Sequence, residues 1–122
     1  MAQVPEDGLT HLRVTLSDSA YIGPGRADLL ESIDRTGSIS GAGKAMGMSY
    51  KRAWGLVQAL NEGFGQALVE SSRGGAEQGG ARLTEAGRFV LDHYRIMQDK
   101  TREAIAGEVT ALRQKFDMSE RK

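Results

Sequence analysis

The spacing of apolar residues changes repeatedly along this chain, and each change marks an element. From Leu12 the apolar residues alternate with polar ones through Val14 and Leu16, the period of a half-buried strand that Tyr21 and Ile22 extend. Gly23-Pro24-Gly25 ends the run, because proline cannot continue a ladder. Leu29, Leu30 and Ile33 then recur at helical spacing and predict a helix over residues 26–36, terminated by Gly37. A second, short helix runs through Met46 with Ser40 as its N-cap. Glycines at 41, 43 and 47 cost roughly 1 kcal/mol each inside so short a helix. Close approach of a neighbouring helix would offset that cost. A third helix covers residues 50–63 behind Ser49, its N-cap. Ala53, Val57, Leu60 and Phe64 recur at helical spacing and face the core. Tyr50, Trp54 and Asn61 lie on one flank, with Trp54 expected to seal the helix against its neighbours. The opposite face carries Lys51, Gly55, Gln58 and Glu62, with Arg52 at its edge.

Beyond the third helix the period shortens again. Strand-like runs at 67–71 and Ala81–Leu83 flank a glycine-rich segment from Arg73 to Gly80, which reads as a hairpin tip. Thr84 caps a last helix. Its stripe of Phe89, Val90, Tyr94, Met97, Ile105, Val109, Leu112 and Phe116 is sustained for about thirty residues, with Gly107 a weak point. The expected fold class is mainly α with a small β component: a winged helix-turn-helix with a long C-terminal dimerisation helix. Residues 1–9 are expected to form a flexible tail, 10–84 the winged helix-turn-helix, 85–117 the long helix and 118–122 a second tail.

A helix-turn-helix places its second helix in the DNA major groove, so double-stranded DNA is the expected partner. Lys51 and Arg52 at the start of that helix suit phosphate or guanine contacts. Ser49 can cap the helix and also meet a phosphate. Tyr50 and Gln58 are further candidates, Gln58 for adenine, and Arg73 and Arg82 flank the wing where phosphates would pass. A last helix this long cannot be covered by one small domain. Residue 112 lies on the order of 40 Å from Thr84 along it, so Met97, Ile105, Val109, Leu112 and Phe116 are expected to serve dimerisation with a second copy.

Composition adjusts this picture without overturning it. The 122 residues carry no net charge, although nucleic-acid binders are often basic. Between Ser38 and Arg82, however, Lys44, Lys51, Arg52, Arg73 and Arg82 stand against Glu62, Glu70 and Glu77. The absence of cysteine excludes disulfides and thiolate metal sites and fits a cytoplasmic protein. No export leader and no membrane-spanning run is recognised. His11 and His93 share no metal-ligand spacing, and no nucleophile–base pair stands out, so neither an enzyme nor a cofactor is expected. The wing glycines lack the lysine and hydroxyl of a phosphate-binding loop.

Gly37-Ser38-Ile39-Ser40, the run from Met48 to Trp54, Leu68-Val69-Glu70, the glycine pairs 74–75 and 79–80, and Leu83-Thr84 together resemble the DNA-binding domain of the ModE family of molybdate-responsive regulators. More distantly, residues 37–70 are similar to the helix-turn-helix of LysR-type regulators. The resemblance covers roughly residues 10–100. It implies a dimeric, cytoplasmic transcriptional regulator on a palindromic operator. It carries over no molybdate site, because the family's C-terminal molybdate-binding domains have no counterpart up to Lys122. The effector is therefore open, molybdate among the candidates. The wing also departs from the family, with Ala76-Glu77-Gln78 where a lysine is common; an acid there repels phosphate. Two readings from other classes fit the residues: a winged-helix protein-interaction module without DNA binding, and a direct sensor of a small oxyanion.

Overall fold

The computed structural model describes residues 4–72 and 80–117. Its elements run β1 (Val14–Thr15), β2 (Tyr21–Ile22), α1 (Pro24–Thr36), α2 (Ile39–Ala45), α3 (Tyr50–Phe64), β3 (Val69–Ser71), β4 (Ala81–Leu83) and α4 (Glu85–Lys115). Helices α1, α2 and α3 wrap one core of Leu29, Leu30, Ile33, Ala42, Ala53, Val57 and Leu60. Two small antiparallel hairpins, β1–β2 and β3–β4, lie around it, and α4 closes it with Leu91 and Tyr94. This is the mainly α winged helix-turn-helix that the spacing predicts.

Several local expectations are corrected. The alternating run from Leu12 is not one strand. The chain reverses between Leu16 and Ala20, whose carbonyl accepts from the Leu16 and Ser17 amides, so Val14 pairs with Ile22 and Thr15 with Tyr21. Leu16 at this bend is left 61% exposed. Helix α1 begins at Pro24 rather than Arg26: proline in the first turn lacks only an amide that would have no helical partner. The N-cap of α2 is Ser38, not Ser40. The Ser38 hydroxyl accepts from the Gly41 amide at 2.7 Å, and the helix starts one residue later. Thr84 caps α4 as expected, its hydroxyl accepting from Gly87 at 3.0 Å.

The α4 stripe also divides. At 100° per residue, Leu91, Tyr94, Gln98, Val109 and Phe116 share one face, while Phe89 lies on the other and is 63% exposed. Residues 4–9, expected to be a loose tail, lie along α4. Arg113 donates to the carbonyls of Glu6 and Pro5, and Arg102 pairs with Asp7 at 2.9 Å. Asp7 also accepts from the Leu9 amide. Further up, the Tyr94 hydroxyl donates to the Leu12 carbonyl at 2.7 Å. Helix α4 is tied to α1 by Arg88–Asp34 at 2.6 Å and by Arg95 with Asp28 and Glu31. These exposed or half-exposed pairs set the crossing geometry more than they add stability.

Candidate nucleic-acid interface

The turn between α2 and α3 is built by glycines at two positions that need them. Gly47 has φ +71, a left-handed conformation that a β-carbon disfavours. At Gly43 a β-carbon would stand 3.2 Å from the Met48 carbonyl oxygen and 3.3 Å from Ala53 Cβ. The two helices therefore meet almost backbone to backbone, as the glycine pattern predicts. Ser49 then caps α3, its hydroxyl accepting from the Arg52 amide at 3.1 Å. Val57, Leu60 and Ala53 anchor the inner face.

This anchoring fixes what α3 shows to solvent. Ser49, Tyr50, Lys51, Arg52, Gly55 and Gln58 are all exposed. Among the described residues, Lys44, Lys51 and Arg52 make no salt bridge, whereas Arg82, Arg88, Arg95 and Arg102 each have a carboxylate partner. Arg13, Arg35 and Lys100 elsewhere in the described residues likewise make no salt bridge; what sets Lys44, Lys51 and Arg52 apart is that all three are exposed on the helix-turn-helix. A β-carbon at Gly55 would meet nothing within 4 Å, so the middle of the exposed face is open to a close ligand.

Two residues differ from their expected roles. Trp54 does not seal α3. It is 37% exposed beside Tyr50 at 47%, and both border a cleft whose far wall is Ser71, Ser72 and Gly80 at the base of the wing. Arg82 is not free: its guanidinium lies 3.2 Å from Glu70 across the β3–β4 ladder, although the side chain remains 80% exposed. Arg73 and Glu77 lie outside the described residues.

Asn61, on the flank of α3 and with no role expected from its spacing, joins α3 to the wing. Its side-chain oxygen accepts from Leu68 at 2.7 Å and from Val69 at 3.3 Å, and its amide donates to the Val69 carbonyl at 3.3 Å. An asparagine on the flank of a helix that precedes a strand is the one available signal. The wing is held a second time where Ala81 donates to the Gly37 carbonyl at 2.8 Å. The wing base is therefore bonded both to α3 and to the end of α1.

Of the expected dimerisation residues, Ile105, Val109, Leu112 and Phe116 share one side of α4 and Met97 lies apart from them. Met97 lines an apolar groove with Leu16, Phe64 and Phe89. Val109 instead lies against residue 8 of its own chain: a β-carbon on Gly8 would stand 3.4 Å from Val109 Cγ1. Ile105 is half-buried on the same side. Leu112 and Phe116 are 61% and 58% exposed. The reason is angular: helical rotation puts Met97 about 60–120° from the last four along α4. Among the described residues no group of three or more potential ligands could hold a metal ion, and no helix is long and apolar enough to cross a membrane.

Residues 26–88 match the family model described as bacterial regulatory helix-turn-helix protein, lysR family. The chain belongs to that family. All but the first two residues of α1, then α2, α3, the wing and the start of α4 fall within the match. Among curated relatives, the molybdenum-pterin-binding protein MopA of Rhodobacter capsulatus is 42% identical over 69% of this chain and 32% of its own length. The molybdenum transport protein ModE of Azotobacter vinelandii is 35% identical over 79% of this chain and 33% of its own. The DNA-binding transcriptional dual regulator ModE of Escherichia coli K12 is 36% identical over 70% and 33%. The chain thus spans about a third of the length of these relatives. Among solved structures, the CbnR DNA-binding domain in complex with DNA aligns at TM-score 0.55 and 25% identity, covering 71% of this chain and 95% of that one. Full-length LysG of Corynebacterium glutamicum aligns at TM-score 0.50 and 30% identity over 70% of this chain and 29% of its own.

Proposed function

We propose that this chain binds duplex DNA sequence-specifically as a two-fold dimer on a palindromic operator and regulates transcription there. The observation that carries the reading is the exposed face of α3, where Lys51 and Arg52 stand unpaired among the described residues on a helix rigidly held by the Gly43 approach. The family membership and the DNA complex of a solved relative support it.

In this reading α3 enters the major groove by its N-terminal half. Lys51 and Arg52 meet phosphates or guanine edges, Ser49 holds the helix start and a phosphate, and Gln58 reads adenine one to two turns further in. Tyr50 and Trp54 supply apolar contact. The only apolar group on the major-groove floor is the thymine methyl, so these rings favour T·A positions beside those read by Lys51 and Gln58. Arg82 reaches the backbone by exchanging Glu70 for phosphate. The names of the curated relatives support molybdenum handling as the regulated process.

Selection of bound sequences from a random duplex pool tests the proposal. The expected product is an inverted repeat whose half-sites lie about one helical turn, or a multiple, apart. Binding should also weaken steeply with salt. Failure to enrich any sequence would leave the protein-interaction reading in its place.

A further inference from the structure

The arginines that brace α4 all have acceptors: Arg88, Arg95 and Arg102 meet carboxylates, and Arg113 meets two backbone carbonyls. Arg13, just ahead of β1, and Arg26, in the first turn of α1, have neither among the described residues, and they stand together. The guanidinium carbon of Arg13 lies 3.6 Å from the centre of the Tyr21 ring and that of Arg26 3.8 Å. Two guanidiniums so near one ring centre would overlap on a single face. They therefore take opposite faces, with the phenol between two cations on the order of 7 Å apart, which repel each other. Arg26 Nε and Nη1 are also shut off from solvent with no hydrogen-bond acceptor. Stacking on the ring attracts the cation, but it gives these N–H groups no oxygen, and buried donors left unpaired are costly.

We infer that the Arg13–Tyr21–Arg26 corner binds a phosphate group, supplied by inorganic phosphate or by a small phosphorylated metabolite. The two guanidiniums are held only by stacking, so each can slide toward the rim of the ring and present its donors there, Arg26 bringing Nε or Nη1 into reach. The Tyr21 hydroxyl, which makes no hydrogen bond among the described residues, adds a donor at the same rim. The double charge of a phosphate answers both cations, and its several oxygens suit two planar forks, whereas one carboxylate offers a single charge and two oxygens. The surroundings carry no free acid on α1. Its first turn has no acidic residue and no side-chain cap, so its amides add partial positive charge. Asp28 and Glu31, further along α1, are taken by Arg95, and Asp18 stands at the tip of the β1–β2 turn, outside any salt bridge. A β-carbon at Gly25 would meet nothing within 4 Å, so this turn is open to a ligand. The corner also lies away from the proposed DNA face. Arg26 opens α1, whereas the wing is bonded at its far end, at Gly37, about 20 Å along the helix. Gly63, near the end of α3, packs on Ser19 of the β1–β2 turn, so the hairpin sits at the end of α3 opposite Lys51 and Arg52. The ligand is therefore a free phosphate compound and not the DNA backbone, and both can be held at once.

Titration of the full chain with inorganic phosphate, glycerol 3-phosphate and glutarate at one fixed ionic strength tests the site, followed by calorimetry and by the arginine Nε–H resonances. Either phosphate compound should give a saturable isotherm and shift the Arg13 and Arg26 signals while leaving Arg95 and Arg102 in place. Arg13→Gln and Arg26→Gln should each raise the dissociation constant about tenfold or more, the loss of one charged hydrogen-bonding partner. Tyr21→Phe keeps the stack and should weaken binding less. Arg13 is exposed, so its variant stays informative if Arg26→Gln unfolds. Tighter binding of glycerol 3-phosphate than of inorganic phosphate assigns the site to a phosphorylated metabolite, and equal binding assigns it to the free ion. Glutarate binding as tightly as phosphate overturns the assignment in favour of an acidic peptide. A response that never saturates, or one that is unchanged in Arg13→Gln, overturns the site altogether. Loss of duplex retardation in Arg13→Gln without any phosphate isotherm in the parent would make the pair a DNA contact and likewise refute it.

Discussion

Substitution of Gly87 by alanine tests whether α4 sits on the wing where the structure places it. Gly87 is in the first turn of α4 and is buried. A β-carbon there would stand 2.1 Å from the Leu68 carbonyl oxygen and 3.0 Å from its carbonyl carbon. Ordinary contact requires more than 3 Å, so helix and strand must separate by about 1 Å. The Leu68 carbonyl cannot simply turn away, because it accepts from the Thr84 amide at 2.9 Å, and the Leu68 amide is held by Asn61. Inserting one methyl group into such a site costs typically 1–3 kcal/mol. The gain in helix propensity on leaving glycine, at most about 1 kcal/mol and smaller in a first turn, opposes it. The net expectation is a loss of roughly 2 kcal/mol, a fall in Tm of the order of 10 °C for a domain of this size. Gly55→Ala is the control. It lies inside α3 with nothing within 4 Å of the added carbon, so the free protein should gain roughly 0.5–1 kcal/mol. Urea and thermal unfolding of both variants at one fixed protein concentration measure the two signs. A Gly87→Ala protein as stable as the parent would refute the placement of α4 against Leu68.

Other consequences follow from the same contacts. Asn61→Ala leaves the Leu68 amide without its partner, and unfolding in denaturant should show a loss of about 1–3 kcal/mol; an unchanged midpoint would mean the wing is not held by this residue. Lys51→Ala and Arg52→Ala should change stability by no more than roughly 0.5 kcal/mol and weaken DNA binding, by about 1–3 kcal/mol where a base contact is lost. Normal retardation by both variants would contradict the assigned face. Replacing thymine by uracil at single operator positions should weaken the parent at one position per half-site and leave Trp54→Ala indifferent there; equal responses would remove Trp54 from base reading. Burial raises the pKa of the Tyr94 hydroxyl. The folded state therefore holds its proton longer than the unfolded chain. Its contribution to stability is complete below pH about 10, the unfolded value, and is lost as pH rises through the folded one. Tyr94→Phe should flatten that alkaline decline, and an unaltered slope would assign the decline to other groups.

Much of the fold is legible in the residues because it is set by local periodicity and capping. Leu29, Leu30 and Ile33 mark α1; Ala53, Val57 and Leu60 mark α3; Ser49 and Thr84 are side-chain caps in fact as in expectation. The need for glycine at 43 and 47 was equally readable, since only a close approach or a left-handed turn justifies its cost there. The exposed faces of α3 followed, because an apolar stripe of known angle fixes its complement.

What the sequence could not decide depends on partners distant along the chain. Whether Trp54 is covered depends on where the wing base lies, and no period within α3 encodes that distance. Arg82 is engaged because Glu70 happens to be its cross-strand neighbour, a matter of register. Residues 4–9 carry no periodicity, yet Asp7 and the carbonyls of Pro5 and Glu6 find Arg102 and Arg113 more than ninety residues away. The stripe of α4 holds from Val90 to Phe116 within about 120° of helix surface, while Phe89 at its start points to the other side, and residue type alone does not separate the two. Short-range rules thus determined which elements form and how they begin and end. Tertiary packing alone decided which side of α4 stays bare, because burial of one helix face depends on what the rest of the chain brings against it.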